Sequence, residues 1–211
     1  MSATVQATTR RLSGAQVGIS PRHVNFSFPV EADRYFFFNQ NPLASLVFVV
    51  FSGIFPPGER FFVESVRRFR DQVSDPVLKA QIAGFIGQEA THRRLHALFN
   101  AHLEKQGLVN DWAPRAQERM KVLDGLDVRH HLGITAANEH FTAILADWML
   151  HNADMLGDQD PRLATLWLWH SAEESEHKCT AFDLYQALGG KHHWCIRVFK
   201  YITATFLGDV L

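Results

Sequence analysis

Apolar positions recur at helical spacing along most of the 211 residues. Residues 43–55 are almost wholly apolar, yet too short a run to span a bilayer, which predicts a buried helix. Pro56-Pro57-Gly58 reads as a stop followed by a new start. The next helix is expected over about 59–73, with Phe62, Val63, Val66 and Phe69 on one face. Ser74-Asp75-Pro76 joins a capping residue to a first-turn proline, so it opens another helix. That helix carries Ile82, Phe85, Ile86, Glu89, His92, His96 and Phe99 and ends near Gly107. Residues 108–127 are less apolar, with one short helix expected over 114–123. A third long helix is expected over 128–156, then a turn at Gly157-Asp158-Gln159-Asp160-Pro161. A fourth follows, as far as Leu188, where Gly189-Gly190 stops it. Residues 194–211 are long and apolar but interrupted by Arg197, Lys200 and Asp209. They predict an amphipathic helix lying on the bundle, on a partner or at a membrane surface. Alternating strand patterns and Asn-Gly or Asp-Gly hairpin signals are missing.

The fold class is therefore all-α. Short loops make neighbouring helices antiparallel, whereas the link of roughly 20 residues after Gly107 is long enough to cross a bundle. One long crossover in the middle is the ferritin-like arrangement of a four-helix bundle, here with an extra short helix and a C-terminal amphipathic one. Residues 1–24 are polar and rich in small side chains and are expected to form a flexible leader. Residues 25–211 make one domain, and the pattern runs unbroken to Leu211, so the natural chain is expected to continue.

Composition narrows the function. Hydrophobic residues are 46% and charged residues 20% of the chain, ordinary globular usage. A formal net charge of -1 gives no electrostatic case for nucleic acid. Two cysteines without a CxxC pair rule out a disulfide scaffold and fit a reducing cytoplasm. Twelve histidines, by contrast, ask for a reason.

Two stretches of sequence share a form that supplies it. Glu59 is followed, after 29 residues, by Glu89-Ala90-Thr91-His92, and Glu139, after 34 residues, by Glu174-Ser175-Glu176-His177. Each half offers one lone Glu and one Glu-x-x-His, the set that carboxylate-bridged di-metal bundles use. Positions i and i+3 lie only about 60° apart on a helix, so both side chains converge on one ion. Glu59 shares its face with Phe62, Val63 and Val66, whereas Glu64 sits beside Arg60, Arg67 and Arg68 as a solvated pair. Thr135, Ala136, Thr142, Ala143 and Ala146 around Glu139 leave room for an ion or a substrate. Four carboxylates on apolar faces need compensating charge, and two divalent ions supply it. His170 falls on the Glu174/His177 face, either as a seventh ligand or as an interior histidine bonded to a carbonyl. His96 is expected to pack or to orient a ligand; Glu173 and Glu176 are expected at the solvent side or behind the ligands.

The Glu/Glu-x-x-His set resembles the ferritin-like di-iron carboxylate superfamily. The run His170-x-x-x-Glu174-x-x-His177 is similar to its arylamine N-oxygenase branch, in which an additional His joins the usual six ligands. Pro57-Gly58-Glu59-Arg60-Phe61-Phe62, Gln88-Glu89-Ala90-Thr91-His92-Arg93-Arg94-Leu95-His96, Asn138-Glu139-His140-Phe141-Thr142 and His170-Ser171-Ala172-Glu173-Glu174-Ser175-Glu176-His177-Lys178 together resemble a bacterial family of predicted metal-dependent hydrolases over about residues 25–211.

The expected metal ligands are thus Glu59, Glu89, His92, Glu139, His170, Glu174 and His177. Carboxylates with imidazoles and no thiolate suit iron, with manganese or zinc as alternatives. The function expected is activation of O2 by a di-iron centre to oxidise a small apolar organic substrate. The alternative is a di-metal hydrolase, in line with the family's label. No GxGxxG is present to bind a flavin or nicotinamide, so electrons are expected from an external donor. The C-terminal helix is the surface expected to serve a homodimer or a membrane contact.

Overall fold

The computed structural model describes residues 18–22, 24, 26, 27, 41–157 and 161–210, the side chains of 122 and 206–210 excepted. Among them the chain is all-helical, without strands. The helices are α1 (Pro42–Arg67), α2 (Pro76–Lys105), α3 (Trp112–Met120), α4 (Val128–His151), α5 (Pro161–His177), α6 (Thr180–Ala187) and α7 (His192–Val210). Helices α1, α2, α4 and the α5–α6 pair form the expected bundle, and α1 and α4 also touch across it. The segment from Gln106 to Asp127, which carries α3, makes the crossover and lays α3 on α1. The helix starts follow the chemistry read from the sequence: the Asp75 carboxylate accepts from the amides of Val77 and Leu78 beside Pro76. Arg60 and Glu64 form the expected exposed pair at 2.8 Å.

Pro56-Pro57 does not stop a helix, contrary to expectation; α1 runs straight through it. Two prolines remove two amide donors, which leaves the carbonyls of Ser52 and Gly53 without their partners four residues on. Both carbonyls find replacements. Asn100 Nδ2 on α2 donates to Ser52 O at 2.7 Å, and Asn110 Nδ2 on the crossover donates to Gly53 O at 3.4 Å. The helix is thereby sealed from outside, and Glu59 stays in register with Ser45, Ser52 and Val66, all buried on one stripe. Asn100→Leu is expected to destabilise the protein by about 1–3 kcal/mol, the cost of an orphaned buried acceptor, as read by urea denaturation.

The apolar half of α1 is buried only in part. Phe48, Val49 and Val50 enter the core, while Leu43 is 72% exposed. The segment Pro42–Gln72 is long and apolar enough to cross a membrane by length and composition. The expected fourth helix is likewise not continuous: its hydrogen-bond ladder lapses at Lys178 and Cys179, immediately after His177. The short helix lies at Trp112–Met120, two residues earlier than expected. The helix expected to end at Leu156 stops at His151 and closes with a 3-10 turn.

Two apolar clusters flank the polar middle of the bundle. One gathers Phe48, Leu95, Phe99, Leu166 and Trp167; the other gathers Val66, Ile82, Phe85, Leu132 and Leu184. Helix α7 packs on α4, where Gly133 admits the Trp194 indole: a Cβ there would lie 2.1 Å from the ring. Of the expected leader, residues 1–17 lie outside the described residues, and Ile19 to Arg22 lie against α2 and α5.

Candidate metal centre

Between the two apolar clusters four helices turn carboxylates and imidazoles toward one another. Glu59 comes from α1, Glu89 and His92 from α2, Glu139 from α4, and His170, Glu174 and His177 from α5; all seven are buried. His92 Nδ1 lies 3.6 Å from Glu89 Oε1 and 3.5 Å from Glu174 Oε1. His177 Nε2 lies 3.1 Å from Glu89 Oε1, 3.2 Å from Glu139 Oε2 and 3.4 Å from Glu174 Oε1. Glu89 and Glu174 therefore face both histidines, which is the position of bridging carboxylates. Three groups present one ligand atom each within 4.8 Å of one another: His92/His170/Glu174, Glu89/Glu174/His177 and Glu59/His96/His170. His170 thus sits in the half of His92 and Glu59, away from Glu139.

The donor set fits cations. Both oxygens of Glu59, Glu89 and Glu139, His92 Nδ1 and His177 Nε2 are buried and have no hydrogen-bond partner. Each such orphan costs on the order of 1–3 kcal/mol, and more when charged. Cations held among them would satisfy these atoms.

The hydrogen bonds outside the cluster prepare the histidines for the same task. His92 Nε2 donates to Glu173 Oε2 at 3.1 Å, which turns Nδ1 inward. His177 Nδ1 donates to Gln88 Oε1 at 2.9 Å, which turns Nε2 inward. His170 is set by a longer chain. Asn100 Nδ2 is committed to the Ser52 carbonyl, so its Oδ1 can only accept, and the Ser52 hydroxyl donates to it at 2.7 Å. Ser52 has one proton, so His96 Nδ1 must donate to Ser52 Oγ (2.9 Å), and His96 Nε2 accepts from His170 Nδ1 (2.7 Å). His170 Nε2 is left as a lone pair 3.0 Å from Glu174 Oε1, two acceptors that a cation reconciles. This polarity favours the ligand reading of His170 over the carbonyl-bonded one. His96, with both nitrogens engaged, orients His170. Thr142 Oγ1 completes the set by donating to Glu174 Oε2 at 2.6 Å.

Without an ion the ionisations polarise. Burial, with the Glu89 charge beside it, holds Glu59 well above the usual carboxylate range, and burial and Glu174 push Glu139 up to about 8. Burial works against the charge of Glu89 and Glu174 too, but their histidine neighbours outweigh it and both fall. His92 and His177 rise well above an ordinary imidazole, because the surrounding carboxylates overcome the penalty of burial. Burial lowers His96 and His170, and neighbouring imidazoles add to it.

Beside this cluster lies a cavity of about 300 Å³ between α1, α3, α4 and α7. Phe55, Phe62, Met120 and Phe141 are among its walls; Glu59 and Thr142 stand at the cluster side, and Tyr201, 61% exposed, at the solvent side.

The seven residues expected as ligands lie together in one buried cluster. Ser52, Asn100, Gln88 and Arg22 had not been assigned roles. Asn100 was findable, since 89, 92, 96 and 100 share one helix face. Glu173 is fully buried behind His92 rather than solvated. His130 and His131 are half-buried: His130 stacks on Trp194, and His131 bonds the Leu123 carbonyl.

Fold and site together define a helical-bundle metalloprotein of the carboxylate–histidine type. The chain belongs to the family described as predicted metal-dependent hydrolase, whose model matches residues 20–211. No curated protein and no solved structure matches it.

Proposed function

We propose that this protein is a cytoplasmic non-haem di-iron oxidase or oxygenase that uses O2 and an external electron donor to oxidise a small apolar molecule. The observation that carries the reading is the apolar cavity that meets the cluster at Glu59 and at Thr142, which bonds Glu174. Glu59, His92 and His170 would hold one ion and Glu139 and His177 the other, with Glu89 and Glu174 shared. When bound, the ions supply the redox equivalents and open coordination positions that O2 reduction needs. Manganese or zinc in the same ligands is the alternative loading.

The chain's own residues prepare that chemistry. Glu173, Gln88 and His96 present an inward lone pair on each histidine. Thr142 holds one oxygen of Glu174 at the cavity edge. Phe55, Phe62 and Phe141 exclude water from the space where an apolar substrate would rest.

The family description favours a second reading, hydrolysis, in which the ions activate water against an ester or phosphate. One experiment separates the two. Protein loaded anaerobically with Fe(II) is expected to hold about two irons per chain and to consume O2 on exposure, faster with a reductant. Failure to react with O2, together with ester or phosphate turnover by the zinc- or manganese-loaded protein, would sink the oxidase reading.

A further inference from the structure

The segment before the bundle reaches the centre from behind. Ile19 and Pro21 lie on α2 at Gly84 and Gly87, one turn apart. A Cβ on Gly84 would come 2.4 Å from the Ile19 carbonyl oxygen, and one on Gly87 would come 2.3 Å from Pro21 Cγ. Only glycine at both positions leaves a seat this close, so the contact is built into the helix sequence. The seat delivers Arg22 to two carboxylates on α5. Its backbone amide donates to Glu173 Oε1 at 3.1 Å, and Nη1 donates to the same oxygen at 3.2 Å. Nη1 also donates to Glu176 Oε2 at 3.0 Å, and Nη2 pairs with Glu176 Oε1.

Each carboxylate leads on to a different histidine. Glu173 uses its other oxygen to accept from His92 Nε2. Glu176 Oε2 accepts from Gln88 Nε2 at 2.8 Å, and Gln88 Oε1 accepts from His177 Nδ1. Gln88 Nε2 also reaches the Ser20 carbonyl, at 3.4 Å, so the strap touches this branch twice. One guanidinium, half-exposed, therefore stands at the root of two branches that end on the outer nitrogens of His92 and His177. His170 is set independently, through His96 and Ser52.

We infer that residues 19–22 form a strap whose Arg22 is a positioning residue for the metal centre, fixing the orientation of His92 and His177 together. The inference rests on the metal reading of those histidines. Arg22 neutralises Glu173 and Glu176 and fixes their planes. Without the guanidinium, Glu173 keeps only the residue-22 amide and His92, and Glu176 only Gln88, so the acceptors of both far imidazole nitrogens are less firmly fixed. Outer hydrogen bonds of this kind set metal affinity by about 10- to 100-fold.

The test compares wild type, Arg22→Gln, Arg22→Lys and the seat variant Gly84→Ala/Gly87→Ala, all full-length. Co(II) titration followed by visible absorption reads metal affinity, and side-chain 15N NMR of the metal-free protein reads the imidazole nitrogens. Arg22→Gln is expected to lose about 10- to 100-fold in Co(II) affinity and to shift the outer nitrogens of His92 and His177 together while leaving His170 unmoved. Arg22→Lys should recover part of both effects, because it keeps the charge but not the fork. The seat variant should reproduce the Arg22→Gln result although it removes no hydrogen-bonding group. Co(II) affinity within about twofold of wild type with unmoved shifts in Arg22→Gln would overturn the inference, as would a seat variant that behaves like wild type. A wild type that takes up no Co(II) would remove the metal reading alone, and the metal-free NMR comparison would still decide whether Arg22 holds the two histidines.

Discussion

Glu174→Ala is expected to empty both metal positions at once. Its Oε1 lies within 3.5 Å of nitrogens on His92, His170 and His177, so both halves of the centre lose a shared oxygen. Bound metal should fall from about two ions per chain to background. The metal-free fold should suffer as well. Glu174 is the carboxylate held lowest among the described carboxylates of the centre, charged against His92 and His177. Removing one side of a buried ion pair costs about 3–5 kcal/mol, since the partner charge stays buried. Glu89→Ala and His177→Ala should also lose metal. Glu64→Ala is the control: its pair with Arg60 is exposed and screened by solvent, so stability and metal content should both be little changed. Elemental analysis and urea denaturation of the variants check each statement. Two ions retained by Glu174→Ala would refute the shared-ligand geometry.

The residues of this centre were legible because the chemistry imposes a spacing that helices convert directly into convergence. Glu-x-x-His places both side chains on one face whatever the helix does at its ends. Legibility failed where a tertiary contact overrode a local rule. Pro56-Pro57 is a helix stop by backbone chemistry, and nothing local reveals that Asn100 and Asn110 replace the missing donors. That error hid Ser52. Set on a different helix from Glu59, it had no reason to face the centre, yet in one continuous helix the two lie seven residues apart on the same stripe. Arg22 was hidden for a related reason. A polar segment of small residues carries no periodicity, and its seat is visible only as two glycines on another element. The break at Lys178 and Cys179 left no signal in the apolar pattern.

The stability of the metal-free protein is expected to fall as pH rises from about 6.5 to 8, the opposite of the metal-loaded form. Glu59 and Glu139 keep protons in the folded state that the unfolded chain has already released, Glu139 up to about pH 8. His92 and His177, raised well above the ordinary imidazole value, also stay protonated when unfolded histidine does not. All four bind more protons folded than unfolded in this window, so each lowers stability as pH rises through it. The lowered groups act elsewhere: Glu89, Glu173 and Glu174 lose their contribution below the ordinary carboxylate range, and His96 and His170 act mainly below pH 6.5. Divalent ions bound at these groups would compete with their protons, so affinity should rise with pH and the penalty should fall away in the loaded form. Urea denaturation of chelator-stripped and loaded protein at pH 6.5 and 8 should therefore diverge, with the gap widest at pH 8. A weakly buffered titration with metal at pH 7 should release protons as the ions load. A stripped protein equally stable at both pH values, or loading without proton release, would mean that the carboxylates and imidazoles do not share protons as their burial and distances require.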